Sequence, residues 1–263
     1  MLPDLEQPPS TPRVLAIIPV RKGSKGVVGK NMREIGGQPL VKWTLDAALH
    51  SPGISKIVVS TDWPEVAELA KGLGIPVPWL RSAELSNDTA STIDVVLDAI
   101  GKEAKAGAHY DLVIVLEPSA PLRKSNDIER IVHMLTPLWH SHDAIVTASP
   151  ATFHPSALMK KTGEYWEQYC NTLTFVERRQ DGDQAYLPVG HCFAIKSKVL
   201  AEERTFYCER STLFELDSFQ GIELDTEVDF HLIDTLLRHH RHEIAGSGTS
   251  SETSTVAHEE PGV

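Results

Sequence analysis

The sequence has 263 residues, 41% of them hydrophobic, and a formal net charge of −11 at pH 7. That length can bury one substantial core, so we expect a single globular domain with an embellishment. The acidic balance argues against a nucleic-acid partner, and no apolar run reaches the roughly 20 residues of a membrane-spanning helix. The N-terminus lacks a secretory signal, and the three cysteines form no CxxC pair, so we expect a cytoplasmic protein.

Strands and helices alternate along the first 150 residues. In chain order, the apolar patterns predict strands at 14–20, 56–61, 77–80, 111–116 and 143–148, and helices at 39–49, 64–74, 91–106, from Ser125 or Asn126 onward, and 227–240. This order predicts an α/β fold with a mostly parallel sheet and helices on both faces. Ligands bind such sheets at the carboxyl ends of the strands. We therefore expect chemistry in the loop after the first strand, at Asp62 and at Glu117.

The alternation breaks after residue 150. Residues 151–190 lack helical periodicity and carry isolated aromatic residues such as Trp166, which predicts an inserted, β-rich arm. Residues 1–12 are Pro-rich and residues 246–263 are rich in Ser, Thr and Gly, and both segments are predicted to be disordered. The domain proper is thus predicted to span residues 13–245.

The stretch PVRKGSKGVVGKN at residues 19–31 follows the first predicted strand and indicates an anion-binding loop. The P-loop of ATPases does not fit, because Ser24 occupies the place of its first glycine and Asn31 follows Lys30 instead of Ser or Thr. A solvated basic turn is the alternative. The cations and the glycines, whose N–H groups can turn toward a phosphate, favour phosphate binding: Arg21, Lys22, Lys25 and Lys30, with Gly23, Gly26 and Gly29.

A second cluster, ELDTEVD at residues 223–229, is acidic. On an extended segment Glu223 and Asp225 point to the same side. Such a carboxylate pair suits Mg²⁺, which completes its shell with phosphates and water. The same residues also suit a helix N-terminus capped by Thr226, and the two roles are compatible.

Two further clusters are less decisive. Arg178 and Arg179 could clamp an anionic substrate or form surface ion pairs. The histidines of the segment 239–242 lie at a predicted helix C-terminus, where cations are favoured, and lack a motif such as HExxH, so we expect no metal there. The sequence has no GxSxG nucleophile motif.

Six ordered motifs extend over roughly residues 13–240 and resemble the acylneuraminate cytidylyltransferases, the CMP-sialic acid synthetase family. They are R-x-x-S-K-G-x-x-x-K-N (residues 21–31), VSTD (59–62), L-R-x-A-E-L-x-x-D-T-A-S (80–91), L-x-P-x-x-P-L-R (116–123), RQ (179–180) and D-T-E-x-D (225–229). The resemblance implies a Rossmann-like nucleotidyltransferase fold, a homodimer formed through the inserted arm, and Mg²⁺-dependent transfer of CMP from CTP. An acceptor oxygen would attack the α-phosphorus in line, and pyrophosphate would leave.

The resemblance also implies roles for individual residues. Arg21 and Lys30 would stabilise the charge of the transferring and leaving phosphates, and Asp225, with Glu223, would hold Mg²⁺. The remaining nucleotide contacts would come from Ser24, Lys25, Gly26, Asn31, Arg81 and Thr92. The acceptor would be bound by Glu117, Arg179, Gln180 and Val189.

Three positions depart from the family pattern. Glu223 stands where Asp is common, and Glu117 and Val189 replace the Gln and Asn that commonly lie near the sugar in sialate-activating members. The loss of the Asn amide and the negative charge that Glu117 adds beside an acidic acceptor predict that ordinary N-acetylneuraminic acid is a poor acceptor. We therefore expect a sialic-acid-like nonulosonic acid, with a small phosphonate as the alternative acceptor. A catalytically silent nucleotide-binding module and a UTP- or GTP-dependent sugar-phosphate enzyme fit less well, because the basic signature is intact and differs from theirs.

Overall fold

The computed structural model describes residues 11–23, 26–124, 126–176, 178 and 182–244. Its strands are β1 (Val14–Val20), β2 (Glu34–Ile35), β3 (Gln38–Pro39), β4 (Lys56–Thr61), β5 (Leu112–Val115), β6 (Ala144–Pro150), β7 (Met159–Thr162), β8 (Tyr165–Gln168), β9 (Tyr186–Lys196) and β10 (Ser211–Glu215). Its α-helices are α1 (Leu40–Leu49), α2 (Pro64–Gly72), α3 (Thr92–Lys105), α4 (Asp127–Leu135), α5 (Ser197–Glu203) and α6 (Glu227–His239). Among these helices, none is both long and apolar enough to cross a bilayer.

Six strands form the central sheet in the order β10-β6-β9-β5-β1-β4. The pairs β1–β4, β1–β5 and β6–β10 are parallel. β9 runs antiparallel to both of its neighbours, β5 and β6, so its first residues lie at the edge where β1, β4 and β5 end. The sequence predicted a mostly parallel sheet, and this prediction is confirmed.

Helices cover both faces of the sheet, as predicted. α1, α2 and α4 pack over one face in the largest apolar core, and α3 and α5 pack over the other. These strands read as continuous apolar runs because both of their faces are buried. α6 belongs to a third cluster, in which Ile233 and Leu237 pack against Val27, Ile35 and Trp43. That packing carries the segment before α6 back to the loop after β1.

Two local predictions were wrong in instructive ways. Residues 77–80 form no strand, because Pro76 and Pro78 remove ladder donors. Helix α1 begins at Leu40, and Pro39 is its N-cap rather than its first helical residue, since Pro39 pairs with Glu34 in the β2–β3 ladder.

The helix caps follow the predictions in part. Thr226 caps α6, and its hydroxyl and the Asp229 carboxylate form a capping box. Asn126 occupies the N-cap position of α4 but makes no side-chain capping bond. The Asp127 carboxylate instead accepts a hydrogen bond from the Lys124 N–H.

The inserted arm is shorter in the structure than the predicted range of residues 151–190. Its centre is the two-stranded antiparallel hairpin β7–β8, and Ala151 pairs with Ala185 at its base. Residues 186–190, predicted as part of the arm, begin the central strand β9. This strand was missed because Pro188 and Gly190 interrupt its β-like pattern.

Candidate active site

A cavity of about 380 Å³ lies at the carboxyl ends of β1, β4 and β5. It is lined by Pro19, Arg21, Gly23, Gly26, Lys30, Asn31, Arg81, Leu85, Asn87, Asp88, Ala90, Thr92, Val95, Glu117, Pro118, Ser119 and Asp225. Most of these residues come from the motifs that the sequence singled out. We call the part around Arg21, Lys30, Arg81 and Thr92 the basic end. We call Glu117, which lines the cavity, together with its neighbours Gly190 and Glu223 the acidic end.

The loop after β1 lies directly against the segment that precedes α6. A Cβ atom at Gly26 would be 2.0 Å from the main-chain oxygen of Asp225, so only glycine allows this approach. The Lys30 ammonium group donates to the Leu224 carbonyl oxygen at 2.5 Å and lies 3.3 Å from the Asp225 carboxylate. The first and last motifs of the sequence therefore form one site.

Arg21 and Asn31 shape the loop itself. The Arg21 guanidinium donates to the Asp88 carboxylate at 2.7 Å and to the Asn87 carbonyl oxygen at 3.3 Å. The Asn31 side chain is buried and donates to the Arg21 carbonyl oxygen at 3.2 Å. Asn31 therefore fixes the main chain from which Arg21 extends into the cavity.

Arg81 is a nearly buried cation at the wall of the cavity. Its side chain is 3% exposed, its Nε donates to the Ser86 hydroxyl, and Asp62 lies 3.7 Å away. Burial lowers the pKa of Arg81, an effect that Asp62 partly opposes. The terminal nitrogen that faces Asp62 at 3.7 Å is buried and lies too far from that carboxylate for a hydrogen bond, and no other described residue accepts from it. A buried donor of this kind calls for an acceptor, which an atom of a bound ligand would supply.

The N-terminus of α3 also borders the basic end. Thr92 is the first residue of α3, and Ser91 caps the helix by accepting from the Asp94 N–H. Free N–H groups and the positive end of the helix dipole favour anions at such a place. Together with three cationic side chains, this end of the cavity suits a polyphosphate.

The acidic end is built around Gly190. Its N–H donates to a Glu223 carboxylate oxygen at 2.8 Å, and its carbonyl oxygen accepts from the Glu117 N–H at 3.0 Å. A Cβ atom at position 190 would lie 2.6 Å from Glu117 Oε2 and 2.8 Å from Glu223 Oε1. The two acidic side chains are thus close neighbours that pack against the bare Cα of a glycine.

Burial and mutual repulsion act on these acids. Burial, followed by the charge of Glu223, raises the pKa of Glu117 to about 7. Burial also raises the pKa of Glu223, opposed mainly by the hydrogen bond from the Gly190 N–H. A Glu117 carboxyl group that changes its charge near neutral pH at the wall of a cavity is typical of functional sites.

Asp225 and Glu223, the two predicted metal ligands, differ in accessibility. The Asp225 side chain is 76% exposed and lines the cavity, so its oxygens are accessible to a cation that also binds phosphates. Glu223 is not among the described residues that line the cavity, and one of its oxygens accepts from Gly190. No cluster of three or more His, Cys, Asp or Glu in the described part of the chain would enclose a metal by itself. The donor set fits a Mg²⁺ ion that takes one carboxylate and completes its shell from phosphates and water.

The remaining predicted residues fall into two groups. Val189 is 1% exposed and packs in the largest core, so its side chain does not reach the cavity, and the acceptor contact predicted for it finds no support. Ser24, Lys25, Arg179 and Gln180 lie outside the described residues.

Sequence reasoning gave no role to two residues that hold the site together. Asp88 pairs with Arg21, and Arg123, the last residue of the motif at 116–123, lies buried behind the acidic end. The available signal was their position within motifs that supply cavity residues. Asp62, where the sequence predicted chemistry, accepts from the Lys22 N–H at 2.9 Å and is not among the described residues that line the cavity.

Comparisons with known proteins agree with this geometry. The chain belongs to the cytidylyltransferase family, whose profile matches residues 15–230. It is therefore a nucleotidyltransferase of the CTP-dependent class, as the sequence predicted. A CMP-N,N'-diacetyllegionaminic acid synthase of Legionella pneumophila is 33% identical over 238 residues, covering 86% of this chain and 96% of the relative.

A second relative and a solved structure are also similar to this chain. An N-acylneuraminate cytidylyltransferase of Streptococcus agalactiae is 31% identical over 222 residues, which cover 83% of this chain and 52% of that longer protein. A CTP complex of CMP:2-keto-3-deoxy-manno-octonic acid synthetase superposes with a TM-score of 0.64 at 18% identity, covering 86% of this chain and 99% of that one. This likeness confirms the predicted nucleotidyltransferase fold.

Proposed function

We propose that this cytidylyltransferase transfers CMP from CTP to a nonulosonic acid, a sialic-acid-like sugar of the kind named for its Legionella relative, and releases pyrophosphate. The observation that carries the proposal is the contact of Lys30 with Leu224 and Asp225. It sets a cation and an accessible carboxylate side by side at the wall of a cavity that Arg21 also lines. The relatives described above are named for sugar acids, so they do not favour the phosphonate alternative.

The basic end would bind the triphosphate. Arg21 and Lys30 are held by Asp88 and Asp225 through partly exposed ion pairs, which contribute little stability. Phosphate oxygens can therefore replace these carboxylates at small cost. In the reaction, the acceptor oxygen forms a bond to the α-phosphorus while the bond to the β-phosphate oxygen breaks. The two cations would stabilise the charge on the transferring and leaving groups.

A divalent cation, Mg²⁺ in our proposal, would be held by Asp225, with Glu223 contributing through water. When bound, it neutralises triphosphate charge and aligns the reacting oxygens. Asp225 is also the residue whose carboxylate faces Lys30 at 3.3 Å. Lys30 would then move to the phosphates when the carboxylate binds the cation.

The acidic end would receive the acceptor. Glu117 lines the cavity, and no described group donates a hydrogen bond to its side chain. It can accept from an acceptor hydroxyl or amide N–H. A charged Glu117 would also repel an acceptor carboxylate that approached it, so the orientation of the sugar acid is restricted.

The function is tested by measuring pyrophosphate release from CTP with a panel of acceptors. The panel contains N,N'-diacetyllegionaminic acid, N-acetylneuraminic acid, 2-keto-3-deoxy-manno-octonic acid and 2-aminoethylphosphonate, with and without Mg²⁺. We expect turnover with the nonulosonic acid and little with the phosphonate. Turnover with the phosphonate alone would replace the proposed acceptor, and no CTP turnover with any acceptor would contradict the proposal.

We further propose that the protein acts as a homodimer through the hairpin β7–β8. Tyr165, Trp166 and Tyr169 on and beside this hairpin are 78%, 66% and 65% exposed. Contiguous exposed aromatic residues mark interaction surfaces. Sedimentation should show a dimer, and Trp166→Glu should shift it toward monomer, while Val228→Glu, at a position of α6 that is 75% exposed, serves as a control. A monomeric wild-type protein at micromolar concentration would overturn this assignment.

A further inference from the structure

Arg123 lies immediately behind the acidic end and is one of the largest fully buried side chains of the described chain. Its Nε donates to the His191 carbonyl oxygen at 2.7 Å, and one terminal nitrogen donates to the Glu117 carbonyl oxygen at 2.8 Å and the Gly190 carbonyl oxygen at 3.3 Å. The other terminal nitrogen donates to the Thr44 hydroxyl at 2.9 Å. One guanidinium therefore joins the loop after β5, the start of β9 and helix α1.

Arg123 is a buried cation without a carboxylate in direct contact among the described residues. All of its hydrogen bonds within the described chain end at neutral oxygens, and no described carboxylate forms an ion pair with it. Burial lowers the pKa of Arg123 to about 10, which leaves it charged at neutral pH. A buried cation without a contacting carboxylate is unfavourable for stability alone, so its presence calls for another reason.

The groups that Arg123 holds are those that place the two acids. The Glu117 main chain is fixed by Arg123 on one side and by Gly190 on the other. Gly190 in turn donates to Glu223. Among the nearby carboxylates, Glu117, Asp127 and Glu223 all favour the charged form of Arg123. The cation thus offsets the negative charge of the acids while it fixes their main chain.

We propose that Arg123 is a positioning residue for acceptor binding: its guanidinium locks the Glu117 and Gly190 main chain, and its charge lets an acidic acceptor bind beside two carboxylates. This inference rests on the proposed function, because it takes the acidic end to be the acceptor site. Without Arg123, the acidic end would be both looser and more negative. An acceptor carboxylate would be repelled, whereas CTP at the basic end would bind as before.

The test compares Arg123→Lys and Arg123→Met with the control Leu135→Ala. Leu135 is fully buried in α4 within the largest core, so its truncation lowers stability without touching the cavity. Kinetics are measured with CTP and N,N'-diacetyllegionaminic acid, and thermal unfolding is recorded for every variant. We expect Arg123→Met to raise KM for the acceptor by about tenfold or more, with KM for CTP changed by less than about twofold.

Arg123→Lys separates charge from geometry. Lysine keeps the charge but cannot contact three main-chain oxygens in a fork, so we expect a smaller rise in the acceptor KM than for Arg123→Met. Equal rises in both KM values, or the same acceptor effect in Leu135→Ala, would reduce Arg123 to a structural residue and overturn the proposal.

A second readout needs no turnover. In Arg123→Met, the Glu117 and Gly190 amides should exchange with deuterium about tenfold faster than in Leu135→Ala, when both are compared at equal global stability. Unchanged exchange overturns the proposal. If the wild-type protein turns over no acceptor, the proposed function fails, and the exchange experiment still decides whether Arg123 locks this main chain.

Discussion

The basic and acidic ends of the cavity are held in opposite ways. At the basic end, Arg21 and Lys30 each donate to one main-chain oxygen and also reach a carboxylate through a partly exposed ion pair, with Asp225 76% exposed. At the acidic end, Glu117 and Glu223 are held by main-chain contacts with Gly190. Ion pairs with exposed partners can be exchanged for phosphate, but main-chain hydrogen bonds to buried groups cannot be exchanged cheaply. One end is therefore adaptable and the other is preformed.

The largest expected effect tests the adaptable end. Lys30→Ala should lower kcat by about 10²-fold or more, the magnitude of losing one group that stabilises transition-state charge, while the circular dichroism spectrum stays unchanged. The matched control is Lys71→Ala, which removes a lysine paired with Glu68 on the surface of α2. Wild-type kcat in Lys30→Ala would show that the basic end does not act on phosphates.

A smaller effect, on the Mg²⁺ requirement, should distinguish Asp225 from Glu223. Asp225→Asn should raise the Mg²⁺ concentration for half-maximal rate by about tenfold, because it removes the accessible carboxylate. Glu223→Gln should raise it less, since Glu223 is engaged by Gly190. Titrations of the rate with MgCl₂ measure both. Full activity in excess EDTA would remove the metal assignment for both residues.

The preformed end should control acceptor choice. Glu117→Gln should raise kcat/KM for N-acetylneuraminic acid relative to N,N'-diacetyllegionaminic acid by about tenfold, the effect of one well-placed hydrogen-bonding group. KM for CTP should change by less than the acceptor ratio, because no hydrogen bond joins the Glu117 side chain to Arg21, Lys30 or Arg81. Val189, the other acceptor-site departure from the family pattern, is left unchanged, because an amide at this buried position would destabilise the core. An unchanged acceptor ratio would show that Glu117 does not select the acceptor.

The smallest effect concerns stability and pH. The pKa of Glu117 is raised to about 7 in the folded protein, so between about pH 4.5 and 7 the folded state binds more protons than the unfolded state. The free energy of unfolding should therefore fall as pH rises through this window. Glu117→Gln lacks this dependence, and its stability relative to wild type should increase by about 1 kcal/mol or more from pH 5 to 8.

Urea titrations without added metal at both pH values measure this change. Asp98→Asn, which breaks a surface pair with Lys102 on α3, is the control for altering one acid elsewhere. A stability difference between Glu117→Gln and wild type that does not depend on pH would contradict a raised pKa at Glu117.

The sequence predicted most of the fold and the adaptable end, because both depend on local signals. Apolar runs identified β1, β4 and β5, and the glycine-rich basic loop and the acids before α6 were recognised as motifs. The preformed end depends on contacts across the sheet that no local pattern records. Gly190 lies in an interrupted strand, and Arg123 acts through main-chain oxygens of residues far from it in sequence. Val189 was misassigned because a motif position does not show which way its side chain points.

The contact between Gly26 and Asp225 also means that the two halves of the site are synthesised at different times. Lys30 and Leu224, which meet beside this contact, are 194 residues apart in sequence. At roughly 5–20 residues per second, the loop therefore emerges from the ribosome about 10–40 seconds before the segment that completes it. A nascent chain should bind CTP weakly until α6 has docked, and pyrophosphate release by chains stalled at increasing lengths would reveal that step. We therefore expect chains that end before this segment to release no pyrophosphate from CTP.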